Sequence, residues 1–371
     1  MTASGKQRGR ALGLPFPGTP GPFNAITDVA SVEVGTVTLI SGEGALVRGE
    51  GPVRTGVTAL LPRGRASARA CAAGYYSLNG NGEMTGMAWV EESGELQTPI
   101  TITNTHSCGV TRDATLRWLV ERGIDMGQHW GLPVAAETYD GELNDISGFH
   151  VTAEHTIAAL DAARGGPVEL GSVGGGTGMI CYDFKGGNGS ASRLVEIAGE
   201  RYTVGVFLQS NFGAREQFNL LGVPVGRHIT RDKLRYREQG SVIVIVATDA
   251  PLMAHQLQRV ARRVSLGLAR TGAVAHNGSG DIFLAFSTAN EAAFATTSGG
   301  ARSLHWLPNA SLDPLFTATV EAVEEAVVDS MLVNETMVGR DGHRSIALPI
   351  EEVLELMQRY GRLGPAPAAR P

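Results

Sequence analysis

A layered protein of mixed helix and strand, with sheets covered on both faces, is what this sequence predicts. Three observations lead there. Segments with helical spacing of apolar residues are interspersed with short strand-like runs, and no internal repeat organises them. Several runs are apolar at every position, most plainly Val242 to Ala247, and a strand without a polar side has no face toward water. The composition is that of a compact chain with many tight turns: 371 residues, 49 of them glycine, and only 18% charged. The class is therefore α/β or α+β, at a length that suggests about two domains of roughly 150 residues each.

The elements follow in order. Residues 1–22 read as an irregular arm rich in Pro and Gly, with Lys6, Arg8 and Arg10 as a solvated basic tail. Strands are expected at residues 36–40, 57–61 and 98–105, then a helix from Thr111 to Arg122 ended by Gly123. Residues 131–149 are expected to be polar and turn-like around Glu137 to Asp145. A second helix covers residues 152–164, a glycine run covers 171–179, and strands continue to Gln209. Residues 214–240 read as a flexible, charged surface excursion, crowded by Arg227, Arg231, Lys233, Arg235 and Arg237. Asp249 is the expected N-cap, with Pro251 in the first turn, of a helix running to about Arg270. A turn and strand at 276–286, helices at 317–338 and 350–360, and a disordered Pro/Ala tail complete the chain.

Charge and cysteine content exclude several classes. A net charge of −6 and a pI near 5.9 argue against a nucleic-acid partner. Three cysteines without metal-like spacing argue against a disulfide framework and fit a reducing, cytoplasmic setting. No apolar run spans a bilayer and no secretory signal is evident, so no membrane association is expected. No H-E-x-x-H, paired Cys-x-x-Cys or EF-hand loop supports a metal, and no cofactor is expected. The glycine run lacks both the P-loop ending and the G-x-G-x-x-G spacing, so close backbone approach is the preferred reading. Cys108, two residues after His106, is read as a small core cysteine rather than a thiol nucleophile.

One junction carries the chemistry. Gly240-Ser241 ends a charged segment and opens the β-branched run. Read plainly, it is a turn leading into a core strand. Read chemically, it is a site of self-cleavage, after which Ser241 is the first residue of a new chain. An N-terminal serine carries its own base: an α-amine with a pKa of roughly 7.7–8.0, far below that of lysine. Glycine before it is expected because only glycine reaches the φ/ψ of self-attack cheaply. Other candidates have ordinary structural alternatives. Ser279 and Asp281, flanking Gly280, offer a hydroxyl and a carboxylate to hold the amine's proton, or simply turn chemistry. Asn211 is a candidate oxyanion donor or an Asx turn; Tyr139 is a second donor or a half-buried aromatic. Glu137 is a candidate site for a substrate ammonium or a surface carboxylate.

Together these stretches resemble the self-processing serine aminopeptidases, the family of the L-aminopeptidase/D-esterase-amidase and the β-peptidyl aminopeptidases. The resemblance rests on Asn24-Ala25-Ile26-Thr27-Asp28-Val29, Glu137-Thr138-Tyr139-Asp140-Gly141, Gly174-Gly175-Gly176-Thr177-Gly178, Gln209-Ser210-Asn211-Phe212-Gly213, Gly240-Ser241 with Ala247-Thr248-Asp249-Ala250-Pro251, and Asn277-Gly278-Ser279-Gly280-Asp281. It implies an α+β fold, a four-layer αββα sandwich formed by residues 1–240 and 241–371 as two intertwined fragments. It implies Ser241 as nucleophile, Ser279 and Asp281 as its assistants, and Asn211 and Tyr139 at the oxyanion. Glu137 would bind the free amine of a small peptide or aminoacyl amide. Some relatives carry Glu where Asp281 stands. A homotetramer of paired chains without metal is also implied. The alternatives are an acyl transferase resembling ornithine acetyltransferase, whose junction usually exposes threonine, and a non-catalytic glycine-rich binding protein.

Overall fold

The computed structural model describes residues 5–65, 67, 69–124, 130–234, 240–294 and 300–363. In chain order, its elements begin with β1 (Glu33–Ser41), β2 (Val53–Leu61), β3 (Cys71–Gly80), α1 (Met87–Ser93), β4 (Glu95–Leu96), β5 (Ile100–Asn104), α2 (Cys108–Glu121), β6 (Val134–Thr138) and α3 (Ala153–Asp161). There follow β7 (Ile180–Cys181), β8 (Phe184–Lys185), β9 (Gly187–Ile197), β10 (Glu200–Asn211), α4 (Val225–His228), β11 (Ser241–Thr248), α5 (Ala254–Arg270), β12 (Gly280–Ser287), α6 (Asp313–Leu332) and α7 (Ile350–Arg359).

Two sheets stack between two helical layers. The smaller sheet has the order β1-β2-β5-β6, and the larger β4-β3-β12-β11-β10-β9. Helices α2 and α3 cover the smaller sheet, and α5 and α6 the larger. The alternation along β11 shows how the layers divide the core. Val242, Val244 and Val246 pack toward α5 and α6, while Ile243, Ile245 and Ala247 fill the space between the sheets with Leu60, Ile100 and Phe207. Each of the Val, Ile, Leu and Phe side chains contributes about 1.5–3 kcal/mol on burial. This is the αββα sandwich that the resemblance implies. The all-apolar run is a central strand, hydrogen-bonded to β10 on one side and, in parallel, to β12 on the other. Helix α5 obeys the expected periodicity: Leu257, Val260, Ala261, Val264 and Leu268 form its buried stripe.

Four local expectations are corrected. The basic arm is not a solvated tail. Arg8 pairs with Asp329 at 2.6 Å and Arg10 with Glu325 at 2.9 Å, both carboxylates on α6 and both fully enclosed. Buried carboxylates need partners, and the arm supplies them. The segment 131–149 is not all turn: Glu137 and Thr138 end the buried strand β6, and Asp140, Asn144 and Asp145 are also buried. The stretch 214–234 is not a loose excursion. Phe218, Leu220, Val223, Val225 and Ile229 pack into the core, and Arg215 bonds to the carbonyls of Tyr182, Ile229 and Arg231. Its charges had suggested exposure, but the alternating apolar residues decide its path. Arg235 and Arg237 lie outside the described residues, as does the Pro/Ala tail. Asp249 does not cap α5, which starts at Ala254; its carboxylate accepts from the Thr203 amide at 2.7 Å.

Candidate active site

The glycine run explains how the sheets approach each other. Gly174–Gly176 forms a short turn pressed against β2, and a Cβ on Gly56 would stand 2.4 Å from the Gly174 carbonyl oxygen. The amides of Gly174 and Gly175 donate to the hydroxyls of Thr38 and Thr58 at 2.8 and 3.1 Å. These N–H groups are thus committed to the protein's own side chains, as close approach requires and phosphate binding does not.

At one end of the sandwich the sheets part around a cavity of about 940 Å³. Its lining includes Asn81, Gly82, Glu83, Thr105, Glu137, Tyr139, Gly240 and Ser241. The carboxyl ends of β5 and β6 contribute from one sheet, and the start of β11 from the other. Among the described lining residues there are two carboxylates and no Lys, Arg or His, so the cavity favours a cationic group.

Ser241 is the first residue of β11, and only 4% of it is exposed. Its Oγ has no hydrogen-bond partner among the described residues. A buried hydroxyl left so costs about 1–3 kcal/mol, which is why such groups are rare outside functional sites. Asn211 stands directly opposite Ser241 across the antiparallel β10–β11 ladder. Directly opposed residues send their side chains to the same face, with Cβ atoms about 4.5–5.5 Å apart. The Asn211 amide is held at both ends: Oδ1 accepts from the Ile180 N–H at 3.0 Å, and Nδ2 donates to the Tyr139 carbonyl at 2.8 Å. Tyr139 is half-buried, and its ring lies against Gly141.

Glu137 is 3% exposed. One carboxylate oxygen accepts from the Glu83 amide at 2.8 Å, and the other from the Thr105 hydroxyl. Burial raises its pKa above the usual glutamate value, and the two hydrogen bonds oppose that rise. Cys108 also lines the cavity, but burial, followed by the nearby Glu137 and Glu83 charges, pushes its thiol up to about 12. Its Sγ donates to the Ala135 carbonyl at 3.4 Å. A thiol so held is protonated and structural.

Ser279 and Asp281 are paired, Ser279 Oγ donating to Asp281 Oδ1 at 2.8 Å, and both are buried. Among the described residues neither hydrogen-bonds to the Ser241 hydroxyl. By strand alternation Asp281 belongs with Phe283 and Ala285 on the helix-covered face, whereas Ser241 faces the inter-sheet space. What the pair flanks is the backbone of the junction: Gly280, between them, donates its N–H to the Gly240 carbonyl at 3.2 Å. The reason for glycine at 240 is also corrected. Gly240 does not adopt a left-handed φ. A Cβ there would stand 2.4 Å from the Asn211 carbonyl oxygen, so space rather than conformation demands glycine.

Sequence reasoning missed Thr105, Glu83 and the Gly280 amide. Thr105 follows the end of β5 and Glu83 lies in a Gly-rich turn, and neither belongs to a motif. The Gly280 amide acts through its backbone, which no residue identity reports.

The sandwich and a buried serine at an acid-lined cavity define a hydrolase of the serine aminopeptidase type. The chain belongs to peptidase family S58, whose sequence profile matches residues 24–345. It is 48% identical to the β-peptidyl aminopeptidase BapA of Sphingosinicella microcystinivorans over 374 residues, covering 97% of this chain and 94% of that one. The solved L-aminopeptidase D-Ala-esterase/amidase of Ochrobactrum anthropi superposes with a TM-score of 0.92 at 46% identity, over 97% of this chain and 100% of that one. The β-aminopeptidase of a Burkholderia species gives 0.87 and 44%, over 97% and 100%. The chain is thus an aminopeptidase of this family, and neither the acetyltransferase nor the binding-protein reading stands. Among the described residues no helix is long and apolar enough to cross a membrane.

Proposed function

We propose that the chain cuts itself between Gly240 and Ser241, and that Ser241 then releases the N-terminal residue of short peptides or aminoacyl amides. In the first step the Ser241 hydroxyl attacks the Gly240 carbonyl and its proton passes to the departing amide nitrogen. Water then cleaves the resulting ester, leaving a carboxylate on Gly240 and an amine on Ser241. In each turnover that amine takes the hydroxyl proton as the oxygen attacks the substrate carbonyl. The amine product leaves with a proton, and water hydrolyses the acyl-serine.

The observation that carries this reading is the buried Ser241 hydroxyl at the cavity, without a hydrogen-bond partner among the described residues. Three others support it. The Gly280 N–H on the Gly240 carbonyl is positioned to polarise the bond to be cut. The Ser279–Asp281 pair flanks the peptide nitrogen that would become the amine, suiting it to hold that amine rather than to touch the hydroxyl. Asn211 faces Ser241, and Tyr139 lines the same cavity, as oxyanion donors require. Glu137 is the group for the substrate's ammonium, so blocked N-termini are refused. Relatives named for β-peptides favour an N-terminal β-amino acid among the accepted residues.

Intact-mass measurement of the wild-type protein and Ser241→Ala tests the proposal. Two fragments are expected from the first and one inactive chain of 39.0 kDa from the second. Normal amidase activity in Ser241→Ala would end it.

A further inference from the structure

Lys185 lies in β8 and is wholly enclosed, an expensive place for an amine built to be hydrated. Its Nζ donates to the carbonyls of Met179 and Gly186, each at 2.7 Å. The Met179 carbonyl and the Ile180 N–H belong to one peptide group. That N–H donates to Asn211 Oδ1 at 3.0 Å. A continuous path therefore runs from the lysine through one peptide and into the amide that faces Ser241.

The lysine is not needed to close the turn it sits in. The β7–β8 hairpin already has its backbone ladder, and the Gly186 amide donates to the same Met179 carbonyl at 2.9 Å. Asn334 adds a second tie, its Nδ2 reaching the carbonyls of Lys185 and Gly186 at 3.0 and 2.9 Å.

We propose that Lys185 is a positioning residue for Asn211, orienting and polarising its side-chain amide through the Met179–Ile180 peptide. This rests on the oxyanion role given to Asn211 above. A donor on a peptide oxygen makes the N–H across that peptide a better donor, and each link in such a chain strengthens the next by about 10–30%. A bond received at Oδ1 likewise draws electron density from Nδ2. The amide then meets a developing oxyanion already fixed in direction, and the gain falls on the transition state, not on substrate binding.

The test is a double-mutant cycle with Lys185→Met, Lys185→Gln and Asn211→Ala, using an aminoacyl p-nitroanilide and referring kcat to the cleaved fraction found by mass. Lys185→Met is expected to lower kcat about tenfold with KM within about twofold. Lys185→Gln, which keeps a neutral donor, should fall between it and wild type. In the Asn211→Ala background Lys185→Met should cost less than about twofold more. The same tenfold loss in both backgrounds would overturn the proposal, as would an effect on KM alone. If both lysine variants fail to fold where the wild type folds, the residue is structural and the proposal is wrong. Unchanged kcat in Asn211→Ala alone would instead refute the oxyanion reading beneath it.

Discussion

The amide of Gly280 donates to the carbonyl oxygen of Gly240 at 3.2 Å, across the start of the parallel pairing of β11 and β12. This contact joins the turn carrying Ser279 and Asp281 to the carbonyl that Ser241 would attack. It gives the proposed cleavage a donor that no side chain supplies, and it makes the geometry at residue 240 critical.

Gly240→Ala tests that geometry. The new methyl would press on the Asn211 carbonyl oxygen and on the Phe212 Cα, 2.8 Å away. Neither is the end of a flexible side chain, so the junction itself must shift, at about 1–3 kcal/mol. Self-cleavage should slow at least tenfold while the fold persists, as followed by a denaturing-gel time course.

Glu137→Gln should raise KM for substrates with a free amine by about 10–100-fold, from the loss of a charged hydrogen bond worth about 1.5–3 kcal/mol, and should change kcat little. The buried carboxyl has a raised pKa, so it loses its charge at a higher pH than an ordinary glutamate. Wild-type KM should therefore climb as pH falls through that value, and the variant's KM should not. Steady-state kinetics between pH 5 and 8 would show both.

Asp140 is completely buried, with Oδ1 accepting from Asn144 at 3.0 Å and Oδ2 unpartnered among the described residues. Burial lifts its pKa from 3.8 to about 7, against the opposing pull of polar neighbours, Asn144 among them. The folded form holds this proton more tightly than the unfolded form. Its contribution is fully present below the unfolded value and is lost as pH rises to about 7. Asp140→Asn should flatten that slope, on the order of 4 kcal/mol across the window, in denaturant titrations at pH 4.5 and pH 8.

Arg8→Met should destabilise the protein by about 3 kcal/mol. Of the arm's donors to the enclosed Asp329 carboxylate, it leaves the Gly9 amide, at 2.8 Å, among the described residues. Because Asp329 is already pushed upward by burial and by Glu325, the loss should shrink at acid pH, where the carboxyl is protonated. Denaturant midpoints at two pH values would check this.

The layers were legible because an all-apolar strand such as Val242–Ala247 has only one place to go. Helix ends were legible where a glycine marks them, as Gly123 does with φ of +59°. The arm and residues 214–234 depart from the sequence expectation for one reason: charge does not entail exposure. Arg8, Arg10 and Arg215 are buried or half-buried against carboxylates and carbonyls far away in sequence, which no local pattern displays. At the site, residue types pointed to Ser241, Asn211, Tyr139 and Glu137, which the fold gathers around one cavity or one strand pair. Which face Asp281 occupies depended on register, and register is set by neighbouring strands.

The placement of β11 has a consequence for how the molecule can be made. It begins at the proposed cut, yet it is zipped to β10 from the chain before the cut, and β12 is zipped to β3. Severing the backbone would free neither product, since parting them means tearing open the middle of a sheet. Pieces synthesised separately would each display raw strand edges and half an interior, and should clump before they meet. On the proposed cleavage, folding has to come first and the cut afterwards.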